Sequence, residues 1–392
     1  MKKVIIAGIL AGVLIAGFIF GPFNLGATQN ASAQVQPQPT GVTKKVLLVA
    51  SEKEVQVAPD NALHPGGVRY NAMVWNGSIP GPVFAVDQGD TLEITVRNDG
   101  KVIHSLDVHA GIGPKDVNSG AVMPGESKTY TLHANTPGFF MYHCAADGLF
   151  GVWEHIANGM AGGIVVHPKN EKPAKEFYLA FGEIYSNVGD ASKAGSFDLQ
   201  QFLNNNASLV LTNGMAHKYV PAIGEKVKVD INRNAQPFKV KPNQLTRWYV
   251  LDYGPNDGIA FHFIAGMLNA VRDGAIANRY GTTLLNDETW WIPVGSGSVI
   301  ETTFPQEGVY VGVDHNMADV YKGAALAVIA ANNSTLTDQP PGTAVAPKGS
   351  ASVVANNSTL AAVTPMGNQT EVANATAAGP TTAEQQAQNA TG

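Results

Sequence analysis

Along most of the chain, apolar residues recur at every second position in short runs broken by Gly- and Pro-rich turns. KKVLLVA (44–50), VFAVDQG (83–89), TLEITVRN (91–98), SKTYTLHA (127–134), FFMYHC (139–144) and GGIVVHP (162–168) read as strands, with NGSIPGP, MPGES and NTPG as turns. A period of two sends alternate side chains to opposite faces of a sheet. Short strands at regular spacing with turn signals predict an antiparallel sandwich or barrel. After the linker KNEKPAKE the theme returns in EFYLAFGEIY, SLVLTNG, EKVKVDI, LTRWYVLDY, SVIETTFP, GVYVGVDH and AALAVIA. The fold class is therefore all-β, with one domain over 44–168 and a second over 174–331, a length that suits two domains.

Two echoes suggest internal duplication. MVWNGSIPGPVFAVDQGDTLEITVRN matches LVLTNGMAHKYVPAIGEKVKVDINRN, and TPGFFMYHCAADG matches QEGVYVGVDHNMAD. The second copy has no cysteine, so a site built on that thiol should exist once.

The two ends break the pattern. MKKVIIAGILAGVLIAGFIF has two lysines followed by an apolar run, and ASAQ (31–34) offers a small-x-small cleavage site after Ala33. This is the layout of a secretory signal peptide over 1–33. A retained membrane anchor is the rival, since Val4–Phe20 is near the lower length for a spanning helix. The expected location is outside the cytoplasm: periplasmic, extracellular or at the cell surface. From Asn332 to the last residue the chain has no aromatic residue and no hydrophobic period, so it predicts a disordered tail. Its Asn-x-Ser/Thr clusters are glycosylation acceptors or chance in an Asn- and Thr-rich spacer.

Charge narrows the choice of partners. The net charge is −6, with 14% charged residues and no basic cluster, which argues against nucleic acid. The 42 glycines and 23 prolines agree with strands joined by turns.

The candidate chemistry centres on MYHCAADGLFGVWEHIANGM (141–160), which holds the only cysteine. An unpaired cysteine in an exported chain points to intermolecular pairing, a reactive thiol or a metal ligand. Two His, one Cys and a weak axial Met form a type 1, or blue, copper site. HSLDVH (104–109) supplies the first histidine, which makes the set His104, Cys144, His155 and Met160. Cys144 ends a strand, and His155 and Met160 hang from the loop that follows. A buried free Cys acting as a small hydrophobe is the bland alternative.

Neighbours on a strand point to opposite faces, so His143 faces away from a copper that Cys144 holds. His109, His143 and His315 supply three imidazoles for a catalytic type 2 copper with a position left open. Asp107, between two ligands, is placed to accept and release a proton. His64, His133, His167 and His217 read as surface residues without partners at ligand spacing. His262, in IAFHFIAGM, reads as a satisfied core histidine or an active-site group.

WNGSIPGP, HSLDVH, PGFFMYHCAADG…WEHIANGMAGGIVV, ETWWIP and VDHNMADVYKGAA together resemble copper-containing nitrite reductases over about residues 68–330. The resemblance implies two Greek-key cupredoxin domains, type 1 and type 2 copper in each subunit, and a homotrimer. It implies a type 2 copper between subunits, held by His109 and His143 of one chain and His315 of its neighbour. It also implies one-electron reduction of nitrite to nitric oxide, with a small cupredoxin or cytochrome c as donor and Asp107 relaying protons.

Two departures stand out. The family's second catalytic histidine falls on Met267, a thioether that relays no proton, and His262 or water would have to substitute. The Cys144-to-His155 loop is longer than in the best-known members, as in variants associated with ammonia-oxidising microbes. Copper-dependent oxidation of hydroxylamine or another small reductant is thus a second reading, and a plain cupredoxin electron carrier a third. A laccase-type trinuclear centre is disfavoured, because no His-x-His occurs and Ala145 follows Cys144.

Overall fold

The alternation in TLEITVRN is realised directly: Leu92, Ile94 and Val96 are buried, with Glu93, Thr95 and Arg97 partly exposed between them. The computed structural model describes residues 41–111, 120–146, 149–187, 192–223, 229–230, 232, 234–273 and 284–333, all within one compact unit, Pro39–Gly392. The signal-peptide or anchor reading and the tail beyond 333 lie outside the described residues.

The first half carries β1 (Thr43–Ala58), β2 (Val68–Trp75), β3 (Val83–Asp87), β4 (Thr91–Asn98), β5 (Asp107–Val108), β6 (Ser127–His133), β7 (Gly138–His143), helix α1 (Leu149–Ala157) and β8 (Ala161–His167). Its strands form two four-stranded sheets, β2-β1-β4-β6 and β3-β8-β7-β5. In the second half, β9 (Lys175–Ile184), α2 (Leu199–Leu203) and β10 (Leu209–Thr212) are followed by β11 (Ala222–Ile223), β12 (Val229–Asp230), β13 (Phe238–Val240) and β14 (Thr246–Asp252). Next come β15 (Ile259–Phe263), β16 (Leu268–Asp273), β17 (Leu284–Asp287), β18 (Thr289–Ile292), β19 (Ser296–Thr302), β20 (Gly308–Asp314), α3 (Met317–Lys322) and β21 (Ala325–Ala330). These strands build a six-stranded sheet, β10-β9-β14-β19-β16-β17, a five-stranded sheet, β13-β21-β20-β15-β18, and the pair β11-β12. Among the described residues, no sheet mixes strands from the two halves.

The sheets are mixed rather than purely antiparallel, because β1 pairs in parallel with β4, β3 with β8, β9 with β14 and β13 with β21. Periodicity fixes which face a residue takes but not which strand lies beside it.

The sequence echoes have a structural counterpart. Asn76-Gly77 and Asn213-Gly214 both adopt left-handed turns, with φ of 52° and 76° in one and 49° and 86° in the other. Asn76 Oδ1 accepts from Val49 N–H at 2.7 Å, and Asn213 Oδ1 accepts from Ala180 N–H at 2.7 Å. In each half an Asn-Gly turn is thus tied, by the same side-chain bond, to the strand that pairs with the one leading into it.

The halves share one core, in which Phe139 and Met141 of β7 join Tyr249 and Leu251 of β14 and Val299 of β19. A Cβ on Gly297 would stand 2.5 Å from the Phe139 carbonyl oxygen, so only glycine fits where the two backbones meet.

His167, read as a surface residue, is buried in a polar cluster beneath this contact. Its Nδ1 lies 3.1 Å from Glu171 and 3.2 Å from the Tyr249 hydroxyl. Glu171 and Glu176 both reach Arg247 at 3.2 Å, and Arg247 and Arg272 share Glu301 at 2.7 and 2.9 Å. The His167–Glu171–Glu176 group has ligand-like spacing. The Arg247 guanidinium already occupies the place a cation would take, so this is an ion-pair network. His217 is likewise buried, and His64 is half-buried beside it, whereas His133 is exposed as expected.

Candidate metal centre

Two strand ends, one isolated bridge and one helix converge on the thiol. His104 exchanges backbone bonds with Val122 at 3.1 and 2.7 Å, and the buried Asn98 amide holds the Val102 and Val122 carbonyls at 2.8 and 2.9 Å. Cys144 follows β7 and donates its N–H to the Met160 carbonyl at 3.0 Å, while Met160 N–H donates to the His155 carbonyl at 3.0 Å. Cys144, His155 and Met160 are thus one backbone-braced unit, and all three are buried.

Cys144 Sγ lies 3.5 Å from His104 Nδ1 and 3.2 Å from His155 Nδ1, with the two ring centroids 5.0 Å apart. The N–H groups of Ser105 and Ala146 also point at Sγ, at 3.5 and 3.3 Å. Burial pushes the thiol up to about 12 and the imidazoles of His104 and His155 down to about 4 and about 3. Both rings are therefore neutral and free to ligate, whereas a thiolate here needs a cation beside it. Two neutral imidazoles, a thiol with inward N–H donors and the buried Met160 fit a type 1 copper.

This arrangement sets an acid limit on the metal-free protein. Folding holds His104 and His155 neutral, whereas the unfolded chain protonates them near 6.5, so stability is lost as pH falls through 6.5 toward about 4. Urea unfolding of the metal-free protein should give about 2–4 kcal/mol less stability at pH 5 than at pH 7. A flat profile over that range would contradict the neutral-imidazole assignment.

The stretch read as a loop between Cys144 and His155 contains α1. LFGVWEHIA has a glycine and β-branched residues, so its intrinsic helix propensity is weak and packing decides. Trp153 stacks on Phe202 of α2 with centroids 5.0 Å apart and 24° between planes, and it meets Phe197 at 5.9 Å. Trp153→Ala should cost about 1–3 kcal/mol in thermal or urea unfolding and broaden the visible absorption of the copper-loaded protein, since His155 lies on the same helix.

On the opposite face of the same strand end, His143 Nε2 lies 3.1 Å from His109 Nε2 and 3.4 Å from Asp107 Oδ2. The cross-strand register pairs Asp107 with His143. His109 Nδ1 faces the Gly295 carbonyl at 2.9 Å and His143 Nδ1 faces that of Cys144 at 2.9 Å. Each Nδ1 therefore carries the hydrogen, and each Nε2 turns a lone pair toward the other. Two lone pairs at this separation repel unless a proton or metal cation lies between them, so the pair fits a metal. Asp107 is held below the usual carboxylate range, chiefly by the His143 ring beside it, against the opposing effect of burial. Burial lowers His109 most, with the His143 charge adding to it.

Comparison with known proteins agrees with this chemistry. A multicopper oxidase family model matches residues 56–171. The copper-containing nitrite reductase of Neisseria meningitidis is 31% identical over 301 residues, covering 73% of this chain and 71% of the relative. The chain belongs to the copper-containing nitrite reductases. The solved copper nitrite reductase of Nitrosomonas europaea superposes with a TM-score of 0.63 at 31% identity, covering 74% of this chain and 95% of that one. The copper-containing nitrite reductase of Thermus scotoductus gives 0.64 at 27% identity, covering 76% and 64%. The all-β, two-sandwich cupredoxin reading stands.

Within this family member, one chain brings together His104, Cys144 and His155, and separately Asp107, His109 and His143. His315 does not join the second group. It is exposed after β20, with its ring centroid 5.4 Å from that of His262. His262 is half-buried and its Nδ1 lies 2.6 Å from the Glu288 carbonyl. Met267 is 46% exposed, and its carbonyl accepts from the Thr302 hydroxyl at 2.7 Å. Sequence reading missed Gly295, whose carbonyl orients His109 across the two halves. Its φ of 75° is glycine's signature, but nothing local to the sequence links it to His109.

Proposed function

We infer that the protein reduces nitrite to nitric oxide, NO2− + e− + 2 H+ → NO + H2O. The observation that carries this is the His143–Cys144 dipeptide, which puts adjacent residues into two separate ligand clusters in a chain 31% identical to a nitrite reductase. Copper bound at the two clusters supplies the one-electron chemistry, and the remaining tasks fall to side chains.

His104, Cys144, His155 and Met160 would hold the type 1 copper in a pocket closed to water. His109 and His143 would hold the type 2 copper, since their Nδ1–H groups are fixed on carbonyls and leave each Nε2 free to ligate. In support of a third ligand from another copy, His315 is exposed and outside the cluster, which a homotrimer with sites between subunits would complete. Asp107 sits beside the ligand nitrogens as a carboxylate and takes up and hands on a proton to a nitrite oxygen. Met267 supplies no proton, and His262, beside His315, takes that part. The electron arrives from a small cupredoxin or cytochrome c, and the apolar N-terminal run would place the enzyme outside the cytoplasm. The carrier reading is disfavoured because Asp107, His109 and His143 form a second cluster a carrier has no use for.

Nitric oxide should be measured anaerobically with the copper-loaded protein, giving one sample nitrite plus a reductant and another hydroxylamine plus an oxidant. Nitric oxide from nitrite is expected. Nitric oxide from hydroxylamine alone would overturn the assignment and make Met267 the mark of an oxidase.

A further inference from the structure

His64 and His217 lie far apart in the sequence and serve neither copper cluster, yet their ring centroids are 6.3 Å apart with planes tilted by 33°. Each residue is held by its surroundings. His64 sits in the turn after β1, where Asn61 Oδ1 accepts from the N–H groups of Leu63 at 2.7 Å and His64 at 2.9 Å. His217 adopts φ of 54°, which side chains rarely take. Its N–H donates to the Gly323 carbonyl at 3.1 Å, and its ring Nε2 lies 3.2 Å from the Val320 carbonyl.

The Val320 contact puts the ring hydrogen of His217 on Nε2 and leaves Nδ1 as a bare lone pair. That Nδ1 is buried, as is His64 Nε2, and among the described residues no protein group bonds to either. Buried polar atoms of this kind call for a partner. Burial lowers the proton affinity of both rings, so both remain neutral donors.

We propose that His64 Nε2 and His217 Nδ1 bind one copper(I) ion between their rings. Two imidazoles sharing a metal at about 2 Å from each nitrogen have centroids roughly 5–6.5 Å apart, the longer value belonging to a near-linear arrangement. The observed separation lies at that end, and a linear two-imidazole site suits copper(I). No carboxylate joins the pair among the described residues, so a monovalent ion is favoured over a divalent one. The neighbouring Lys218 is engaged with the Asn213 carbonyl at 3.0 Å. His217 has its second ring nitrogen fixed on a carbonyl, as metal-bound histidines usually do.

The test uses the full chain with its type 1 and type 2 coppers loaded, equilibrated anaerobically with copper(I) buffered by bicinchoninate. Copper per chain is counted by mass spectrometry, and its position is found by anomalous diffraction at the copper edge. Three coppers per chain are expected, with a peak between the two rings. His64→Gln and His217→Asn should each lower the count to two and leave visible absorption and nitrite reduction unchanged; the first alters a half-buried turn, and the second tolerates the left-handed backbone. Two coppers in the unaltered protein, a water between the rings, or a third copper that persists in His64→Gln would overturn the proposal.

Discussion

Asp107→Asn is expected to lower kcat for nitrite by about 10²-fold, with copper content and visible absorption unchanged. The substitution keeps the size and polarity of the side chain but removes its ability to carry a proton. In the native protein, Asp107 Oδ2 lies 3.4 Å from His143 Nε2, and the register of β5 against β7 fixes it there. Its side chain is 48% exposed, so it can exchange protons with solvent as well as with bound substrate. A carboxyl at or below its ordinary range is ionised at neutral pH, so its role begins with proton uptake. Steady-state rates across pH would check this: the native profile should fall at high pH as protons become scarce, and the variant should be slow throughout. A variant that turns over at the native rate would remove Asp107 from the mechanism.

Cys144→Ser should abolish the intense visible absorption and reduce nitrite turnover by more than the ~10–100-fold that partners of metal ligands are worth. Hydroxyl and thiol differ little in size, but the site is built for sulfur. Two imidazole nitrogens at 3.5 and 3.2 Å and two N–H donors at 3.5 and 3.3 Å all face Sγ. Burial raises the thiol to about 12 even against the N–H groups of Ser105 and Ala146, and a serine hydroxyl, harder still to ionise, would remain neutral. The His109–His143 cluster should keep its copper, visible by electron paramagnetic resonance, because His143 holds its place through β7 and not through the thiol. Loss of both coppers in Cys144→Ser would mean that the two clusters are one cooperative unit.

How far the sequence carries is best seen at β7. Strand alternation alone assigns His143 and Cys144 to opposite faces, and the structure puts one in each cluster. The grouping of His104 and His155 with Cys144 is also legible, because soft donors at loop spacing after a lone cysteine have few other uses. What was not legible depends on contacts between distant segments. The pairing of Asp107 with His143 rests on a two-residue strand that no periodicity announces. Helix α1 owes its existence to Trp153 meeting Phe202 and not to its own propensities. The burial of His167 and His217 follows from Arg247, Tyr249 and α3 closing over them. The hold of Gly295 on His109 joins the two halves of the chain.

The most direct test of the account is copper-edge anomalous diffraction from crystals of the copper-loaded protein, prepared without added copper(I). Two peaks are predicted: one among His104 Nδ1, Cys144 Sγ and His155 Nδ1, and one at His109 Nε2 and His143 Nε2 with His315 of a second copy completing it. A single peak, or a second peak away from His109 and His143, would contradict it.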